Sequence, residues 1–168
     1  TPYVMGPTGA TTFTGFGATG AGAARKTAFQ SVVNASYGTV YERAYAEVQK
    51  RAVRYADLVN DALSAAPALT TEFPANSPLA TQLQTVARMI AVRDRLGMSR
   101  QVFFVATGGF DTHDDQLADQ PGLLGNVSAS LEAFYKATVG LGAAKGQLPT
   151  VAPSIGKFLH PGAKALIP

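Results

Sequence analysis

Four residues within five positions, Asp111, His113, Asp114 and Asp115, bring together one of the chain's two histidines and three carboxylates in the stretch "GGFDTHDDQ", 108–116. A carboxylate oxygen and a neutral imidazole nitrogen are ligands that Zn²⁺ or Mn²⁺ accepts. Two residues apart on a loop, Asp111 and His113 can converge on one divalent ion. Asp114 and Asp115 are then placed to orient the imidazole from behind or to hold a second ion. Gly108 and Gly109 let the backbone turn sharply and approach a ligand. Two ligands fall short of the roughly four that zinc normally takes; the other imidazole, His160, lies in a proline-rich tail. A second reading of the same residues stays open: Thr112 or Asp114 caps a helix, and the aspartates complement its dipole.

Charge is distributed to suit the first reading. Between Arg100 and Lys136 there is no lysine or arginine, while Asp111, Asp114, Asp115, Asp119 and Glu132 all fall there. The basic residues come mostly earlier, among them Arg25, Lys26, Arg43, Lys50, Arg51 and Arg54. Cysteine is absent, which excludes disulfides, thiolate ligands and a cysteine nucleophile. No serine is placed to complete a Ser–His–Asp arrangement with His113. Gly15, Gly17 and Gly20 spell G-x-G-x-x-G with Glu42 downstream, but the preceding "TGATTFT" is polar, so this reads as loop and not as a dinucleotide fingerprint. Lys50, Arg51 and Arg54 read as a solvated helix face, with no nucleic-acid partner implied. A net charge of +3 argues little about partners.

The elements that must position the loop follow from periodicity. "QVFFVA", 101–106, runs directly into the glycines. Its continuous apolar run predicts a strand covered on both faces, as in parallel α/β sheets, and ligands in such sheets bind beyond the carboxyl ends of the strands. A helix is expected over 39–65, with Thr39 and Glu42 as a capping box and Tyr41, Tyr45, Val48, Ala52, Tyr55, Val59 and Leu63 as its inward stripe. Another is expected over 78–96, capped by Ser77 with Pro78 in its first turn, burying Leu79, Leu83, Val86 and Ile90 and ending at Gly97. A third spans 123–140, with Leu124, Val127, Leu131, Phe134 and Val139 inward, and a short one covers 23–35. Three parts result: an extended Gly/Thr-rich arm at 1–22, a helical α/β portion at 23–142 and a proline-rich extended tail at 143–168. A strand buried on both faces needs neighbours on both edges, because its main-chain groups require partners. "PYVM", "TTFT" and "LPTVA" are weak candidates, so a protein partner or further chain is expected to complete the sheet. With 168 residues, 46% of them hydrophobic and 15% charged, the composition is that of one globular domain. No apolar run approaches the roughly 18 residues of a membrane span. No secretory leader opens the chain, and its start at Thr1 suggests a processed, trimmed or partial polypeptide.

The run "RQVFFVATGGFDTHDDQLADQPGLLGNVSASLEAFYKATVGLG", together with the upstream "QLQTVARMIAVRDRLGM", resembles the DUF1501 family over about residues 1–142. The "GG-aromatic-DTH" core carries most of that resemblance. The family consists of exported bacterial proteins of the alkaline phosphatase/sulfatase-like superfamily. There, Asp and His residues at strand ends hold divalent metals that engage phosphate or sulfate esters. The resemblance therefore implies that Asp111 and His113 are metal ligands, with a Zn²⁺ or Mn²⁺ cofactor, a metal-dependent ester hydrolase activity and a periplasmic or secreted location. It also implies a helix-rich portion of an alkaline-phosphatase-like fold. The family's later "GEFGRT"-like and "DHG/DHW"-like segments do not occur here, and "GAAKGQLPTVAPSIGKFLHPGAKALIP" takes their place. The ligand set is thus incomplete in this chain, and no catalytic residue is assigned. The alternative expectation is a non-catalytic assembly subunit that docks on a larger complex through its strand and tail.

Overall fold

A computed structural model describes residues 4–13, 15–98, 100–113 and 115–141 of the chain. The 143–168 tail, His160 and Asp114 lie outside the described residues. The elements in order are β1 (Met5–Gly6), β2 (Gly9–Ala10), α1 (Gly20–Val33), α2 (Val40–Ser64), α3 (Pro78–Ala91) and α4 (Gln116–Gly140). The chain is helix-rich. Among the described residues its sheet is the antiparallel β1–β2 hairpin, with Met5 opposite Ala10 and Gly6 opposite Gly9. No helix among the described residues is long and apolar enough to cross a membrane.

Local chemistry explains the helix starts. Thr39 Oγ1 accepts from the Glu42 N–H at 3.2 Å, and the Glu42 carboxylate accepts from the Thr39 N–H at 3.1 Å, so α2 opens on the expected capping box. Ser77 Oγ accepts from the Ala80 N–H at 3.1 Å, and Pro78 supplies the fixed φ of the first turn of α3. The α3 stripe is buried throughout: Leu79, Leu83, Val86 and Ile90 meet Phe134 and Ala137 of α4 in the main core. A second cluster gathers Val59, Ala62 and Leu63 of α2 around Met89 and Val92. Phe103 is packed against both clusters and joins them.

Several expectations are corrected. The first 22 residues are not simply an extended arm. The β1–β2 hairpin is fastened to α2 by Asn60, and Phe13 and Phe16 pack with Phe29 of α1 at ring centroid distances of 5.0–5.5 Å. Gly17 and Gly22 approach so closely that a Cβ on Gly22 would lie 2.7 Å from the Gly17 nitrogen, so the glycine pattern serves backbone packing at the start of α1. Helix α3 ends at Ala91 rather than Leu96, the chain then turning to Gly97, whose φ of +63° suits glycine. Helix α4 begins at Gln116 rather than Leu123 and carries Pro121 inside it, which removes the hydrogen bond to the Leu117 carbonyl. In the predicted stripes, Tyr41, Tyr45 and Val48 of α2 and Leu124 and Val139 of α4 are exposed.

The largest correction concerns 101–106. Its burial alternates residue by residue: Gln101, Phe103 and Val105 are half-buried, while Val102 is 99% and Phe104 85% exposed. That period of two fits an extended segment with one covered face, but the strand expected at 101–106 is not formed among the described residues, where the segment carries no regular secondary structure. Phe103 and Val105 lie on the core of α3 and α4. The run is apolar on both sides, as a doubly covered strand requires, yet only one side has a cover among the described residues. No described residue pairs with the main-chain groups of Val102 to Val105.

Candidate metal-binding loop

The 101–106 segment delivers the chain to residues 107–113, between the first turns of α3 and α4. Helix α3 holds the upstream end. Gln82 Nε2 donates to the Ala106 carbonyl at 2.8 Å, and Gln82 Oε1 accepts from the Ala106 N–H at 3.0 Å. Gly109 then turns with φ of +91°, and a Cβ there would come within 3.2 Å of Leu123 of α4, so both conformation and space call for glycine. At the downstream end the Asp115 N–H donates to the Thr112 carbonyl at 2.9 Å and closes the turn into α4.

Within this frame Asp111 Oδ1 and His113 Nε2 lie 3.0 Å apart. At that length the two side chains contact each other directly, as an ion pair or hydrogen bond; a carboxylate oxygen and an imidazole nitrogen are also donor types that a divalent cation accepts. Both side chains are open, at 87% for Asp111 and 78% for His113. His113 has φ of +24°, a conformation that non-glycine residues seldom adopt. Among the described residues Asp111 pairs with His113, and Asp115 and Asp119 have no lysine or arginine partner. No described group of three or more His, Cys, Asp or Glu residues is gathered for a metal. Asp111 and His113 supply two donors, fewer than the roughly four that zinc takes.

For the helix-capping reading, Asp114 lies outside the described residues. The N-cap of α4 is Asp115, and its side chain makes no capping hydrogen bond. Thr112 contributes its carbonyl to the turn. Asp119 sits in the first turn of α4, where a carboxylate complements the helix dipole.

Beside the loop lies an open cleft of about 500 Å³, walled by Ala106, Gly108, Phe110, Leu123 and Asn126. Its floor rests on a polar junction between α3 and α4: Ser77 Oγ donates to Asn126 Oδ1 at 2.9 Å and lies 3.3 Å from Ser130 Oγ. Sequence reasoning found Ser77 only as a cap and missed Asn126, Ser130 and Gln82. Asn126 and Ser130, four apart in α4, are polar interruptions near an apolar stripe, and that spacing was the available signal. Gln82 carried none. Comparison with protein-family models, with characterised proteins and with solved structures finds no match to this chain.

Proposed function

We propose that the chain is a portion of an exported α/β protein of the DUF1501 type, with an alkaline-phosphatase-like architecture, in which Asp111 and His113 contribute to a divalent-metal site. The activity implied is hydrolysis of a phosphate or sulfate ester. A bound Zn²⁺ or Mn²⁺ would supply Lewis-acid polarisation of the ester oxygen. Asp111 and His113 would hold it, with Asp114 and Asp115 as candidate carboxylates to steady the imidazole or hold a second ion. The remaining ligands would come from outside the described residues. One observation carries this reading: a paired carboxylate and imidazole, 3.0 Å apart, stand just past an extended apolar segment that is covered on one face by α3 and α4. In an open α/β sheet, which the described residues do not form, ligand sites lie past the carboxyl ends of the strands.

The exposed Val102 and Phe104 favour a second reading, a docking subunit whose strand is completed by a protein partner. Metal content separates the two. The purified chain, dialysed against Mn²⁺ or Zn²⁺ and subjected to elemental analysis, is expected to retain about one ion, and to lose it in Asp111→Ala and His113→Ala. Retention no greater in the parent chain than in Asp111→Ala would remove the metal site and leave the docking reading standing.

A further inference from the structure

We infer that Gln82 is a positioning residue for the Asp111–His113 loop: its side-chain amide stands in for the main chain of a neighbouring strand at Ala106 and fixes where the loop departs. A primary amide carries the same donor and acceptor as a peptide group. Gln82 uses both on one residue, at 2.8 and 3.0 Å, and its Nε2 also lies 3.2 Å from the Pro78 carbonyl in its own first turn. The start of α3 is thereby tied to the end of the extended segment.

The same device appears elsewhere in the molecule. Asn60 Oδ1 accepts from the Ala10 N–H at 2.9 Å, and Asn60 Nδ2 donates to the Ala10 carbonyl at 3.2 Å, which satisfies the outer edge of the hairpin. At Ala106 the consequence is larger. In an extended chain the N–H and C=O of alternate residues point to one edge. Ala106 therefore shares its edge with Val102 and Phe104, and a strand added there meets those two and is halted by Gln82. Past that point come Thr107, Gly108 and the turned Gly109. Between Ala106 and the Asp115–Thr112 hydrogen bond, no described residue makes another hydrogen bond to the main chain of 107–111. Gln82 is thus the upstream anchor of the loop.

Only the metal arm of the test rests on the proposed function. The ¹⁵N-labelled full chain is compared with Gln82→Leu and Gln82→Glu for helical circular dichroism, for amide exchange at Phe104 and Ala106, and for Mn²⁺-induced broadening of the His113 ring signals. The parent chain is expected to protect Ala106 and not Phe104. In Gln82→Leu, helicity should hold while exchange at Ala106 accelerates on the order of tenfold, the loss of a typical net hydrogen bond. The Mn²⁺ concentration that broadens His113 should rise severalfold. Gln82→Glu keeps the acceptor and loses the donor, so it should fall between; it decides the matter if Gln82→Leu loses helicity. Parent-like exchange at Ala106 in the folded variants overturns the role given to Gln82. Absence of broadening in the parent chain overturns the metal reading instead, and the exchange arm alone then judges Gln82.

Discussion

Helices α2 and α3 are both capped and both amphipathic, yet they put their apolar stripes to different use. Every predicted stripe residue of α3 is buried, from Leu79 at 6% to Ile90 at 9% exposure. In α2 the stripe divides. Val59 and Leu63 are buried against Met89 and Val92, whereas Tyr41 and Tyr45 stand 86% and 68% exposed. In the first half of α2 the buried residue is Ala46, off the predicted stripe, and further along Lys26 Nζ of α1 meets Asp57 at 3.1 Å. A 3.6-residue period specifies that a helix forms and which side is apolar. Whether that side is covered depends on a neighbour the period does not name.

The sharpest way to break this comparison is to truncate one side chain from each stripe. Leu83→Ala should cost about 2–5 kcal/mol, as for other buried leucines, and Tyr41→Ala should stay within about 0.5 kcal/mol, as for exposed positions, both read by denaturant unfolding. An equal loss at Tyr41 would mean that the first half of α2 is covered in solution. The caps come next. Ser77→Ala removes a buried cap that also contacts Asn126 and Ser130, and it should cost about 1–2 kcal/mol, with Thr39→Ala at the exposed start of α2 costing less. Equal losses would show that the junction beneath the cleft adds nothing.

The smallest effect is acidification. The Thr39 hydrogen bonds hold the Glu42 carboxyl below its ordinary value; hydrogen bonds and charge from Lys50 and Lys136 do the same for Glu47 and Glu132. A lowered folded value means that the stabilisation is complete above the unfolded glutamate value, about 4.3, and fades as pH falls through the folded value. These groups lie on α2 and α4, and α3 has no carboxylate. Amide exchange below pH 4 should therefore quicken in the first turn of α2 before it does in α3. The reverse order would show that these contacts contribute nothing.

The parts that were legible in the sequence are those decided within a few residues. The Thr39–Glu42 box, the Ser77–Pro78 start and the α3 stripe are each settled inside one or two turns. The Asp111–His113 approach follows from spacing on a glycine-led loop. What escaped was settled at long range or by competition. Asn60 meets Ala10 across 50 residues and Gln82 meets Ala106 across 24, and no local pattern announces either pairing. Helix α4 starts before the expected 123 and runs through Pro121; at the sixth position of the helix its missing N–H costs one bond, and the helix forms across it. The continuous apolar run of 101–106 foretold two covers, and the described chain supplies one.

That uncovered run has a further consequence for handling the protein. Val102 to Val105 is uncharged and free of proline, and its main-chain groups find no partner among the described residues. Short segments of this composition seed cross-β stacking when they meet copies of themselves. Arg100 on one flank and Asp111 beyond the glycines are the nearest charges that oppose it. Self-association at this strip should therefore rise steeply with protein concentration.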